Sequence, residues 1–224
     1  MSDNIQQWFE NHATDYQTVL GRLENTRSVL LDGSISEAAD ILEKSYMFAV
    51  LSIRTERDRH ERAFTAHYAG DISRKEAALE TVYGGNKKNW IRKTFNSTDW
   101  RTLARAVRAH ADAERWDVLL DTVVENLTGV AHRKGAFMLA MSGLYEFGCI
   151  DSNVARYADI EEEEGDSLSF SSAEQYMNVC DEVFSSVPSE LPPFVKQWAI
   201  YDFERGEHAR HNAFYAELPI RADR

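Results

Sequence analysis

Along the first 187 residues the apolar positions recur at spacings of three and four rather than two, and no proline interrupts them before Pro188. That pattern predicts consecutive helices, and strand signals are scarce. A capping box from Ser34 to Glu37 opens a helix through Ile41, Leu42, Ser45 and Ala49 to about Tyr68, where Gly70-Asp71 breaks the pattern. A second helical stretch is expected over 73–83, and Gly84-Gly85-Asn86 reads as a turn. A basic segment with Trp90 follows, then a helix over about 98–110 that aligns Arg101, Arg105 and Arg108 on one face, by default a solvated stripe.

Trp116, Leu119, Leu120, Val123, Val124 and Leu127 keep strict helical spacing up to Thr128-Gly129, where a hairpin begins. From Lys134 to Leu144 nearly every side is apolar or small, the signature of a helix enclosed by others. Asp151 then stands as an N-cap before Val154, Arg156 and Tyr157. The acidic run from Glu161 to Glu164, and on through Ser172, reads as an exposed loop. Tyr176, Met177, Cys180, Val183, Phe184 and Val187 mark an amphipathic helix, and Pro192-Pro193 introduces a last one bearing Phe194, Trp198, Tyr201 and Phe203. With neither repeat nor linker in view, 1–224 is read as one all-α domain.

Composition sharpens this only in places. The net charge is -12, which on the simplest view opposes nucleic acid and fits an acidic interaction protein or a DNA mimic. Its distribution is uneven, because 85–136 carries ten basic against six acidic residues. Lysine is scarce beside arginine, a balance suited to a salt-adapted prokaryote or its virus. The polar start of the chain and the lack of a long apolar run lead to the expectation of a cytoplasmic protein with no membrane partner. Cys149 and Cys180, both in apolar surroundings, are expected as buried thiols; two cysteines cannot build a four-cysteine centre. Glu207, His208 and His211 form only a weak cluster, so neither metal nor cofactor is expected.

The order of helix, hairpin, buried helix and capping aspartate in LTGVAHRKGAFMLAMSGLYEFGCIDSNVARYAD resembles the helix-hairpin-helix DNA glycosylases, with the motif over about 117–145. Lys134 precedes Asp151 by 17 positions, close to the family's spacing, and upstream ILEKSYMFAVLSIRTERDRHERAF looks like the family's early helix. Ala131 stands where the family hairpin has its second glycine, and one extra residue precedes the lysine. The family's iron-sulfur cysteines are absent, which leans the resemblance toward the cluster-free branch that acts on 8-oxoguanine.

The resemblance implies two helical lobes around a cleft, and a monomer that excises a damaged base from double-stranded DNA. A non-catalytic helix-hairpin-helix DNA-binding module is the alternative that would not need the lysine and aspartate. In the family's chemistry Lys134 attacks C1′ and forms a Schiff base, while Asp151 stabilises the positive charge building on the sugar. Arg54 would fill the gap left by the extruded base, and Gly129, Val130, Ala131, His132 and Arg133 would hold a phosphate, with Arg156 as a further basic contact. The last helix offers Phe194, Gln197, Trp198 and Tyr201 as a base pocket.

Overall fold

The computed structural model describes residues 2–160 and 169–205, and every regular element among them is helical. In order they are α1 (Ser2–Asn11), α2 (Ala13–Asp32), α3 (Ile35–Ser52), α4 (Arg57–Ala69), α5 (Arg74–Leu79), α6 (Gly84–Ser97), α7 (Trp100–Asp112), α8 (Trp116–Asn126), α9 (His132–Met141), α10 (Ser152–Tyr157), α11 (Ala173–Ser185) and α12 (Pro193–Arg205). No helix among the described residues is long and apolar enough to cross a membrane. Residues 161–168 of the acidic run, and Glu207, His208 and His211, lie outside the described residues.

Local chemistry sets most boundaries. The Ser34 hydroxyl accepts from the Glu37 amide while the Glu37 carboxylate takes the Ser34 amide, and Ser73 with Glu76 repeats the device at α5. Asp99 and Ser172 cap α7 and α11 one way only, each side chain accepting from first-turn amides with no return bond to the cap amide. Two helices are enclosed: α3 packs between α7 and α9, and α9 buries every residue from Gly135 to Met141. At the other end of the chain α12 rests on α1, α2, α10 and α11. There the Trp8 indole donates to the Tyr16 hydroxyl at 2.9 Å, and Tyr16 donates to the Asp202 carboxylate at 3.1 Å.

Five expectations are corrected. The helix expected from Ser34 to Tyr68 is two helices, broken over 53–56, where Arg54 adopts a left-handed φ of 47°. The break is held from a distance by Lys87, whose ammonium donates to the Leu51 carbonyl at 2.8 Å and to Thr55 Oγ1 at 2.6 Å. The stretch over 73–83 is helical only to Leu79, and Gly84-Gly85-Asn86 is the first turn of α6 rather than a loop. Glycine stands at 84 because a Cβ there would lie 2.7 Å from the Ala78 carbonyl and the Leu79 Cα. The buried helix runs from His132 to Met141, beginning and ending earlier than its apolar run. Finally, the arginine stripe of α7 is not simply solvated. Arg108 donates to the Leu30 and Gly33 carbonyls at 2.6 and 2.8 Å, closing the end of α2, and Arg101 reaches Ser36 Oγ at 3.0 Å.

Candidate active site

Lys134 sits in the first turn of α9, half-buried, and its amine is placed by two neighbours. Its Nζ donates to Ser52 Oγ at 2.9 Å, and Ser52 in turn donates to the Ala49 carbonyl at 2.7 Å. Because the Ser52 proton is spent on Ala49, its lone pairs are left for the lysine, and the amine is aimed. Nζ also lies 4.8 Å from the centre of the Phe137 ring, one helical turn on. Burial pulls the Lys134 pKa below the ordinary lysine value, and Arg133 pushes the same way, while Cys149 and Asp151 oppose them. The uncapped N-terminus of α9, with no side chain on the amides after Ala131, adds its positive dipole end.

Asp151 occupies the start of α10 with an extended backbone. One carboxylate oxygen, Oδ1, accepts from the amides of Asn153 at 2.8 Å and Val154 at 3.0 Å. Oδ2 accepts no hydrogen bond from the described residues, so half the carboxylate is a cap and half is uncommitted. Burial raises the Asp151 pKa, and the two capping amides together with Lys134 and Arg133 hold it down. Burial therefore drives both Lys134 and Asp151 toward their uncharged forms, against their mutual attraction. Beside them the Cys149 thiol is pushed up to about 11, again by burial first.

Two cavities meet at these residues, and Lys134, Cys149 and Asp151 line both. The first, of about 640 Å³, runs between the α3–α4 break and α12, with Phe137, Gln197, Trp198 and Tyr201 in its wall. The Gln197 Oε1 accepts from the Cys149 amide at 2.8 Å, so what Gln197 can offer a ligand is its amide N–H donors. The second, of about 710 Å³, opens between the hairpin before α9 and the start of α6, with Arg54, Tyr83, Trp90, Arg133 and Phe170 in its wall.

The residues singled out in the sequence divide. Lys134, Asp151, Gln197, Trp198 and Tyr201 meet at the first cavity, and Arg54, Gly129, Ala131, His132 and Arg133 line the second. Val130 is buried and anchors the hairpin. Phe194 is a correction: it lies in the core, its ring packed on Phe137 at 6.2 Å and Trp198 at 5.8 Å, and lines neither cavity. Arg156 is exposed, pairs with Glu204 at 3.6 Å, and also lines neither. His132 turns back to Asp121 at 3.2 Å.

Sequence reasoning missed Ser52 as the lysine's partner, Phe137 as the cavity wall, and Cys149 beyond its burial. It also missed Lys87 and His60, which brace the α3–α4 break. The Lys87 side chain is fully buried, and burial brings its pKa down to about 7. His60 Nε2 lies 3.0 Å from the Phe48 carbonyl, and burial takes its pKa down to about 3, so the ring is neutral and that nitrogen is the donor. Among the described residues no group of three or more His, Cys, Asp or Glu side chains is placed to hold a metal ion. Comparison with protein-family models, with curated proteins and with solved structures finds no match.

Proposed function

We propose that this chain is a base-excision DNA glycosylase with lyase activity, a helix-hairpin-helix enzyme of two lobes that removes an oxidised purine, 8-oxoguanine, from double-stranded DNA. It would work as a monomer in the cytoplasm. One observation carries the reading: an aimed, half-buried lysine amine with a depressed pKa shares a cavity junction with a carboxylate whose Oδ2 is uncommitted. On one side lies an aromatic cavity of a size to take a purine, and on the other the backbone amides of a hairpin.

In this reading neutral Lys134 attacks C1′ of the extruded nucleotide. The new N–C bond forms as the N-glycosidic bond breaks, and the base leaves with the electron pair and takes up a proton. The Asp151 carboxylate stabilises the cationic sugar and, with its raised proton affinity, is the base that receives the proton lost from Lys134. Opening of the sugar ring gives a Schiff base, and loss of a C2′ proton then expels the 3′ phosphate. The amides after Ala131, together with Arg133, are the donors for a phosphate of that strand. Trp198 and Tyr201 supply planes for the base, and Gln197 supplies donors for acceptor atoms on its edge.

The test is incubation of the purified protein with duplexes carrying 8-oxoguanine, uracil, thymine glycol or an abasic site. Release of 8-oxoguanine with strand cleavage at the abasic site is expected. Absence of both, in protein shown to be folded, would overturn the reading.

A further inference from the structure

The second cavity is larger than phosphate recognition requires, and its wall is not that of a simple anion cradle. Three aromatic side chains, Tyr83, Trp90 and Phe170, share it with two guanidinium groups, those of Arg54 and Arg133. Trp90 is fixed in place, because the hairpin backbone lies on it: a Cβ at Gly129 would come within 2.6 Å of the indole. Tyr83 is presented rather than packed, with 47% of its surface exposed. It and Arg54 are two of the four non-glycine residues with positive φ among the described residues, at 58° and 47°. They also meet each other: Arg54 Nη1 donates to the Tyr83 hydroxyl at 3.1 Å, and its guanidinium lies 5.5 Å from the ring centre. Strained backbone is retained where the surroundings over-determine it, and here two strained residues support one exposed aromatic plane at a cavity mouth. Arg133, half-buried at the junction with Lys134, has no hydrogen-bond or ion-pair partner among the described residues.

We infer that this cavity is a second nucleotide subsite, which takes the base next to the target, unstacked, against Tyr83 and Trp90, with the intervening phosphate on Arg133. The inference rests on the proposed glycosylase reading and deepens it, since the enzyme would then open the strand by two nucleotides rather than one. Aromatic planes suit any base, because every base has a π-face, and the cationic pair suits the phosphate that must accompany it. Continuity through Lys134, Cys149 and Asp151 places the two bases on either side of the reacting sugar.

The experiment uses Lys134→Gln protein and duplexes with a central tetrahydrofuran residue, in which the base on the 5′ or the 3′ side is in turn also replaced by tetrahydrofuran, leaving every phosphate in place. Binding is read by fluorescence anisotropy. Loss of one flanking base, and not the other, is expected to weaken binding about tenfold. Tyr83→Gly, which accepts the left-handed backbone freely, should reduce that difference to less than about twofold, and Tyr83→Phe should keep it. Equal binding with and without either flanking base, or a difference that survives Tyr83→Gly, would overturn the inference, as would failure to bind DNA. Borohydride trapping of the native protein on an abasic duplex reads the glycosylase reading separately: trapping with no dependence of binding on a flanking base would sink the subsite and spare the enzyme.

Discussion

At the scale of single residues, the behaviour of the site turns on what burial does to charge. An ordinary lysine has a pKa of about 10.4 and is an ammonium at neutral pH, useless as a nucleophile. Lys134 departs downward, so the rising limb of a pH–rate profile should lie below the ordinary lysine range. Asp151→Asn is expected to lose about a hundredfold or more in rate with little change in thermal midpoint, since asparagine caps a helix nearly as well as aspartate. Unchanged turnover would leave Asp151 only its Oδ1 bonds to Asn153 and Val154. Lys87 gives a second titration. Its pKa is about 7 in the folded chain and higher when unfolded, so the unfolded chain binds the extra proton between those values. The resulting penalty is fully present below about 7 and fades as pH rises above it. Denaturant midpoints of the native protein should therefore rise relative to those of Lys87→Met between pH 7 and 9; parallel midpoints would contradict the assignment.

At the scale of elements, what the sequence made legible is what short-range contacts determine. The Ser34–Glu37 box and the Asp151 cap act over two or three residues, and both are where the pattern placed them. The enclosed character of α9 was legible too, from apolar side chains all round. The break between α3 and α4 was not, because the lysine that holds it lies 36 positions away in sequence. Ser52 and Phe137 were hidden for the same reason, since their roles exist only once that break lies opposite α9. Phe194 shares a helical face with Trp198, but one turn of about 5.4 Å carries it past the cavity and under Phe137. The hairpin offers the sharpest test at this scale. Gly129 combines a φ of 83° with a Cβ position 2.6 Å from Trp90, so Gly129→Ala should destabilise the fold by more than about 1 kcal/mol and weaken DNA binding. A thermal midpoint within error of the native protein would show that the hairpin backbone is free to move away from Trp90.

At the scale of the molecule, the proposed binding of DNA by a chain of net charge -12 requires few phosphate contacts. Two of the six arginines in its basic segment are already engaged, as Arg108 closes α2 and Arg101 holds Ser36. Arg54 and Arg133 line the second cavity, beside the uncapped start of α9. Two or three such contacts predict that log K falls against log salt with a slope of about -2 to -3. A slope near -6 would place the DNA on a surface other than this cleft. The two cavities are lined from the α3–α4 break, the hairpin, the start of α10 and the face of α12, and these distant segments converge on the Lys134 amine. The most direct measurement is to add borohydride during reaction with an abasic duplex and to map the trapped adduct by peptide mass spectrometry. A nucleotide remnant is expected on the peptide containing Lys134, with no adduct from Lys134→Gln; an adduct on any other residue, or one that persists in Lys134→Gln, would place the nucleophile elsewhere.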